Sequence, residues 1–276
     1  MNQRSVLITG CSSGIGLDAA RTLQARGWRV LATCRQAADC ERLNAEGLES
    51  FVLDYASSDS VQAGARQALD MTHGRLDALF NNGAFAIPGL VEDLPRDALR
   101  TLFETNLFGQ FELINAILPA MRAQGHGRIV NCSSVLGFAA MPFRGAYVAS
   151  KFAMEGLSDT LRLEMRDTGI QVVLIEPGPI GTRIRENSIP HFERWIDWQT
   201  SARRDAYENQ LRPRLYEPKL KKDRFELPCS AVSDKLVHAL ESRQARPRYY
   251  VTTPTRVAGI LKRILSTRWL DRVLSR

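Results

Sequence analysis

The 276-residue chain has only five cysteines, Cys11, Cys34, Cys40, Cys132 and Cys229, an odd number with no Cys-x-x-Cys pair. That pattern argues against a disulfide framework and a thiolate zinc site and points to a reducing compartment. No run approaches the roughly 20 apolar residues of a membrane span. The first residues, MNQRSVLITG, enter a strand-like segment without the charged and apolar regions of a secretory leader, so a cytoplasmic protein is expected. Histidine is scarce too. His73, His126, His191 and His238 are scattered, mostly in polar stretches, and read as surface residues, so no metal is expected. Acidic residues are outnumbered, 30 against 37 Lys and Arg, for a net charge of +7, which raises nucleic acid or an anionic membrane as a partner. The basic residues form no uniform stripe. They gather between Arg194 and Arg224, interleaved with acids, and in the C-terminal run, so a nucleic-acid partner is not expected.

At 44% hydrophobic and 24% charged residues, residues 1–276 fit a single domain. Strand-like runs fall near residues 5–9, 28–33, 49–53, 76–81, 127–133, 170–175 and 248–251, with helical patterns between most of them. Such alternation predicts an α/β fold, a Rossmann-like doubly wound parallel sheet with helices on both faces, and ligands at the C-terminal ends of its strands. Thr9, Arg35, Asp54, Asn82, Ser134 and Pro177 all stand just after strand-like runs.

Residues 5–16, SVLITGCSSGIG, read as a strand, a glycine-rich turn and a helix start. Gly10, Gly14 and Gly16 let backbone approach a pyrophosphate, and the helix N-terminus offers unpaired N–H groups. The spacing, G-x-x-x-G-x-G, departs from G-x-G-x-x-G, and the Lys-Ser/Thr ending of a nucleoside triphosphate loop is missing. Further along, Tyr147 and Lys151 are four apart on one helix face, where an ammonium can make a phenol more acidic. Ser134 ends the buried run GRIVNCSS and can hold a carbonyl. Asn106 interrupts the apolar face of a helical segment and invites a bend and a water.

Together these residues resemble the short-chain dehydrogenase/reductase family in its single-domain branch. Thr9 to Gly16 match its TGxxxGIG loop, Asn106, Ser134, Tyr147 and Lys151 its catalytic Asn, Ser and YxxxK, and Pro177, Gly178 and Thr182 its PG-x-x-x-T segment. The coverage runs from about residue 5 to 182. Where the family has Asn-Asn-Ala-Gly, this chain has Asn81-Asn82-Gly83-Ala84, so the turn's dihedrals are open to change. The resemblance implies a nicotinamide cofactor held by Gly10, Ser12, Ser13, Gly14, Ile15, Gly16, Arg35, Asp54, Asn82, Tyr147, Lys151, Pro177, Gly178, Ile180 and Thr182. In the mechanism it implies, Tyr147 is the acid or base and Ser134 orients the oxygen. Lys151 lowers the tyrosine pKa and holds ribose hydroxyls, Asn106 positions a relay water, and Thr182 fixes the carboxamide. A homo-oligomer is expected.

At the end of the second strand, VLATCRQ, an NAD-binding fold usually has an acid. Cys34 stands there and Arg35 follows, which suits the 2′-phosphate of NADP, with Ser13 as a further donor and Asp54 accepting from the adenine. The segments around the site are apolar: Phe85, Ala86, Ile87 and Pro88, then Leu136, Phe138, Met141, Pro142 and Phe143. An apolar aldehyde, ketone or alcohol is therefore the expected substrate. Features of the chain resemble NADP-preferring hydroxysteroid and retinol dehydrogenases and bacterial aldehyde reductases. Aldehyde or carbonyl reduction leads, and steroid or retinoid oxidoreduction is the alternative. A non-catalytic NADP-binding regulator stays open, although it would have no need of all four of Asn106, Ser134, Tyr147 and Lys151. Residues 183–227 show no periodicity and are expected to form a lid. Residues 255–276 form a basic amphipathic tail that packs on the protein or on another subunit, or makes peripheral contact with a membrane.

Overall fold

The computed structural model describes residues 3–216, 223 and 225–274. Seven strands form one sheet: β1 (Ser5–Thr9), β2 (Arg29–Cys34), β3 (Glu49–Val52), β4 (Ala78–Asn81), β5 (Gly127–Cys132), β6 (Ile170–Glu176) and β7 (Arg248–Tyr250). Every pairing is parallel and the order is β3-β2-β1-β4-β5-β6-β7. The chain winds one way from β1 to β3 and the other way from β4 to β7, so a crevice opens beyond the C-terminal ends of β1 and β4.

The strands are apolar on both faces, as a sheet covered by helices requires. Successive side chains alternate. Val6 and Ile8 meet α1 (Gly14–Ala25), α2 (Ala37–Ala45) and the later helix α10 (Ser230–Glu241) through Ala19, Leu23, Leu43, Val232 and Leu236. Leu7, Leu31 and Leu79 face the other way, onto α3 (Ser58–Met71) and α5 (Gly109–Gln124) through Val61, Ala65, Leu113 and Ile117. Each fully buried Val or Leu contributes about 1.5–3 kcal/mol, which ties both helix layers to the sheet. The expected Rossmann-like α/β fold is the one observed, with strand limits shifted by at most two residues.

Before α5 comes α4 (Arg96–Phe103), and the two are joined by one π turn, Glu104–Phe108, with Asn106 at its centre. The bend expected from Asn106 takes this form. After β5, a 3₁₀ turn (Val135–Gly137) leads to α6 (Gly145–Glu164), which carries Tyr147 and Lys151.

One expectation needs correction. Residues 183–216 are not irregular: they form α7 (Ile184–Trp195), α8 (Arg204–Ala206), a π turn (Tyr207–Leu211) and α9 (Arg212–Tyr216). Phe192, Ile196, Tyr207, Leu211 and Leu215 build a third core with Ile87, Leu102 and Ala146. These side chains recur mostly four apart, a spacing the π turn accommodates, and the charges between them hide it. The rest of the expected lid lies largely outside the described residues. The C-terminal tail is two helices, α11 (Thr253–Ile264) and α12 (Thr267–Leu274), separated where Leu265 turns extended, ψ 143°.

Candidate functional site

The glycine turn follows β1. Gly10 has φ +69° and Gly14 φ +60°, a backbone region that glycine reaches without strain. A Cβ on Gly16 would lie 2.3 Å from the Gly10 carbonyl oxygen, so no side chain fits there. Ser13 flanks α1 in extended conformation but makes no side-chain cap bond, and α1 has no acid in its first turn. Its first N–H groups are thus left to an anion from outside the helix. Thr182 closes the turn from above, its Cγ2 3.5 Å from where a Gly14 Cβ would stand.

The swapped pair Gly83-Ala84 has a packing reason. Gly83 is not in the positive-φ region. A Cβ on Gly10 would come 2.7 Å from the Gly83 Cα, and a Cβ on Gly83 would sit 3.2 Å from the Tyr55 ring. Close approach of two loops is what this position serves. Thr9 knits them: its Oγ1 accepts from Asn82 N (2.9 Å) and Gly83 N (3.2 Å) and is hydrogen-bonded to Tyr55 Oη (2.8 Å), while Asn82 Nδ2 donates to the Thr9 carbonyl (3.0 Å). The Asn82 side chain therefore holds the loop. A buried chain continues from Tyr55 Oη to Asn81 Oδ1, from Asn81 Nδ2 to Asn131 Oδ1 (2.9 Å) and from Asn131 Nδ2 to Ser158 Oγ (2.9 Å). Tyr55, Asn81 and Asn131 were missed in the sequence. Their signal is a polar residue at or near the end of a buried run, for which burial demands a partner.

Arg35 is exposed after β2 and makes no ion pair among the described residues. β2 and β3 run in register, Cys34 beside Val52, so Arg35 comes level with Leu53 and Asp54 follows one residue further along the same edge of the sheet. Asp54 Oδ1 accepts from Ala56 N at 3.0 Å. Arg42 on α2 donates to the Ser12 carbonyl at 2.8 Å, a fastening not foreseen.

On α6, Lys151 is 1% exposed and Nζ donates to the Cys132 carbonyl at 2.7 Å. Burial pulls its pKa down to about 8, and the ammonium lies 5.7 Å from the Tyr147 ring centroid. Half-buried Tyr147 has its pKa raised, first by desolvation and then by Cys132, against a hydrogen bond with Ser134 and the charge of Arg144. The expected depression by Lys151 is thus not observed: its Nζ is bonded to the Cys132 carbonyl, and burial dominates. Tyr147 is protonated at neutral pH. Ser134 Oγ accepts from Leu136 N at 3.1 Å, which leaves its hydroxyl proton to be donated.

Asn106 is fully buried. Its Oδ1 accepts from Phe85 N (3.1 Å), and its Nδ2 donates to the Phe85 carbonyl (2.9 Å) and to Ser150 Oγ (3.3 Å). Ser150 Oγ donates in turn to the Tyr147 carbonyl at 2.8 Å. The Asn106 side chain clamps the segment after β4 to α6. Pro177 accepts from Val135 N at 2.8 Å, and a Cβ on Gly178 would lie 2.1 Å from Thr252 Oγ1, so this exit loop is wedged between the Ser134 turn and α11. Gly181 N donates to the Leu227 carbonyl at 3.0 Å, and Ile180 forms a single bridge with Leu227. Ile15 packs partly against the first core.

Of the apolar residues around the site, Ile87 belongs to the third core. Phe143 has a positive φ of 61°, strain of the kind that persists where surroundings over-determine a loop, and its ring meets Tyr207 at 5.7 Å. Phe138 turns to Tyr250 at 5.6 Å. His191 is not a surface residue: half-buried, it stacks on Phe85 at 4.2 Å, and burial, then Arg35 and Arg194, lowers its pKa. Among the described residues no group of three His, Cys, Asp or Glu side chains could hold a metal, and no helix is long and apolar enough to cross a membrane.

A glycine turn at an open helix N-terminus, with a tyrosine, serine and lysine gathered beyond β5, defines a nucleotide-binding oxidoreductase class. The profile of that class, short chain dehydrogenase, matches residues 4–192, and the chain belongs to this family. An uncharacterized oxidoreductase of Escherichia coli strain K12, YbbO, is 41% identical over 272 residues, 99% of this chain and 94% of the relative. 17-beta-hydroxysteroid dehydrogenase type 6 of Rattus norvegicus is 33% identical across 100% of this chain and 89% of its own. A solved short-chain dehydrogenase from Burkholderia phymatum, in complex with NAD, superimposes with a TM-score of 0.77 at 25% identity, covering 100% of this chain and 96% of that one. The protein is therefore an oxidoreductase of the short-chain family, acting on alcohol or carbonyl groups with a nicotinamide cofactor.

Proposed function

We propose that the protein is an NADP(H)-dependent reductase of apolar aldehydes and ketones. The observation that carries this is the protonated Tyr147 beside Ser134 and buried Lys151, at the crevice that the uncapped α1 opens onto. Gly10 and Gly16 have no room for a Cβ and the helix end has no acid in its first turn, so these residues fit a dinucleotide. Gly10, Ser12, Ser13, Gly14, Ile15 and Gly16 would hold its phosphates, Arg35 the 2′-phosphate and Asp54 the adenine. Lys151 would hold the nicotinamide ribose, with Asn82, Pro177, Gly178, Ile180 and Thr182 walling the nicotinamide. The cofactor supplies the hydride. Ser134 donates a hydrogen bond to the substrate oxygen and orients it, and Tyr147 transfers to that oxygen the one proton the reduction needs. Asn106 keeps Phe85 and Tyr147 in place through Ser150.

An apolar substrate is supported by a groove of about 620 Å³ beside the first turn of α6, lined by Leu90, Val91, Met141, Pro142, Phe143 and Val148 among others, a size usual for small-molecule sites. Mixing protein, NADPH and a panel of medium-chain and aromatic aldehydes tests the reading by the loss of absorbance at 340 nm. Turnover of steroid or retinoid alcohols alone would select the alternative that the hydroxysteroid dehydrogenase relative favours. Cofactor binding with no turnover of any substrate would select the regulator. The cytoplasm suits five unpaired cysteines. A homo-oligomer is part of the same reading, supported by exposed Leu157 and Leu163 on α6 and checked by light scattering.

NADP preference is tested by exchanging its determinants. Cys34→Asp with Arg35→Ala is expected to move the NADP-to-NAD ratio of kcat/KM by about 10²-fold, two changes of about 1.5 kcal/mol each. An NAD-favouring or indifferent wild type would overturn the premise.

Residues 183–216 would serve as a lid latched at Asp93, which accepts from Tyr207 Oη (2.6 Å) and Ser201 Oγ (2.8 Å). Trypsin is expected to cut at exposed Arg203, Arg204 and Arg214 more slowly once NADP and product are bound, whereas Arg212 precedes Pro213 and resists this protease in both states. Lys221 and Lys222, also expected sites, lie outside the described residues. Equal rates in both states would mean a fixed wall.

A further inference from the structure

The C-terminal helices present an apolar face that the site does not use. α11 docks through a narrow seam of small residues, Thr255, Ala258 and Gly259, where a Cβ on Gly259 would come within 3.0 Å of the Tyr250 ring. The opposite face, at helical spacing, carries Val257, Ile260 and Ile264, the last 70% exposed. None of residues 267–273 of α12 is buried, and the helix shows Trp269, 57% exposed, and Val273 on one side. Along the same flank run Arg256 and Arg263 on α11 and Arg268 and Arg272 on α12, all exposed. The Arg272 guanidinium lies 4.8 Å over the Trp269 ring. Lys262 is turned back onto Phe152, 4.7 Å from its ring.

Charge selects the occupant of this face. Residues 253–276 hold six Arg and Lys against the single acid Asp271, so a net +5 of the chain's +7 sits in this segment. A second copy would bring the same positive face to meet it and be repelled, whereas an anionic lipid surface is complementary. An apolar stripe holding a tryptophan and edged by arginines is the pattern of a helix lying in a bilayer interface, and neither helix is long enough to span one.

We infer that α11 and α12 form a docking surface for an anionic phospholipid bilayer, with Val257, Ile260, Ile264, Trp269 and Val273 entering the interface and Arg256, Arg263, Arg268 and Arg272 meeting headgroup phosphates. α11 is capped by Thr252, which lies against Gly178 of the candidate site, so docking places that site beside the membrane. If the proposed apolar substrate is correct, it is then drawn from the bilayer.

The full-length protein is expected to co-sediment with vesicles of phosphatidylcholine and phosphatidylglycerol in equal parts at about 0.1 M salt, poorly with phosphatidylcholine alone, and several-fold less at about 1 M salt. Arg268→Glu with Arg272→Glu is expected to cut vesicle binding by more than about tenfold, as is Ile260→Ser with Ile264→Ser and Trp269→Ser, with reduction of a short water-soluble aldehyde unchanged. Bromine-labelled lipid is expected to quench part of the wild-type tryptophan fluorescence, and that part is expected to be missing in Trp269→Phe, which leaves Trp28, Trp195 and Trp198 in place. Wild-type binding that ignores lipid charge, or variants that bind as well as wild type, would overturn the inference. A lower oligomer mass in the serine variant, with no vesicle binding by the wild type, would give the face to a second copy and overturn it equally. Since vesicle binding is read without catalysis, its failure is distinct from failure of the reductase reading.

Discussion

Tyr147→Phe is expected to lower kcat by about 10²- to 10⁴-fold, the usual contribution of a positioned proton donor, while NADPH binds nearly as before. Burial holds the phenol in its protonated form, which suits donation to a carbonyl, and the substitution removes only the oxygen. The backbone carbonyl of Tyr147, the atom bonded to Ser150, is untouched, so α6 keeps its place. Stopped-flow turnover paired with NADPH fluorescence titration makes the distinction. A variant that retains more than about a tenth of wild-type kcat would remove Tyr147 from the chemistry.

The second large effect is on stability. Arg248 on β7 donates to Glu155 of α6, to Glu176 at the end of β6 (2.5 Å) and to Asp159 (2.6 Å). Glu176 is fully buried and Glu155 nearly so. Arg248→Met leaves two buried carboxylates without their cation, a loss of about 3–5 kcal/mol and of order 10 °C in Tm. The pH dependence carries the signature. Burial, then Glu155, raises Glu176 from 4.5 to about 8 against the pull of Arg248. Between those values the folded protein keeps a proton that the unfolded chain has lost. Stability therefore falls as pH rises through this window and levels above it. Without Arg248 the carboxyls hold their protons to higher pH still, so the deficit of the variant is expected to be larger at pH 8.5 than at pH 5.5 in urea titrations. An equal deficit at both would mean that lost packing, not charge, is the cause.

This cluster was invisible in the sequence. Glu155, Glu176 and Arg248 lie on α6, β6 and β7, and nothing in their local context marks them as partners. The same holds for Asn106. Its place in a helical pattern foretold the bend, because asparagine competes for backbone hydrogen bonds. Its partners, Phe85 and Ser150, are set by how α5 and α6 cross. The lid region failed for a different reason. A four-residue apolar recurrence running through a π turn, interleaved with charge, does not read as a helix of period 3.6.

Local chemistry determined the strands, their parallel order, the glycine turn and the Tyr147–Lys151 pair, because each rests on side-chain period, glycine's backbone freedom or helical spacing. These are short-range properties that the chain carries wherever it folds. Only the tertiary structure decided the electrostatics. It put Lys151 on the Cys132 carbonyl, kept Tyr147 protonated, gave Asn106 to Phe85 and left the C-terminal apolar face outside. Desolvation and hydrogen-bond partnership depend on what packs around a group, and residues distant in sequence supply it.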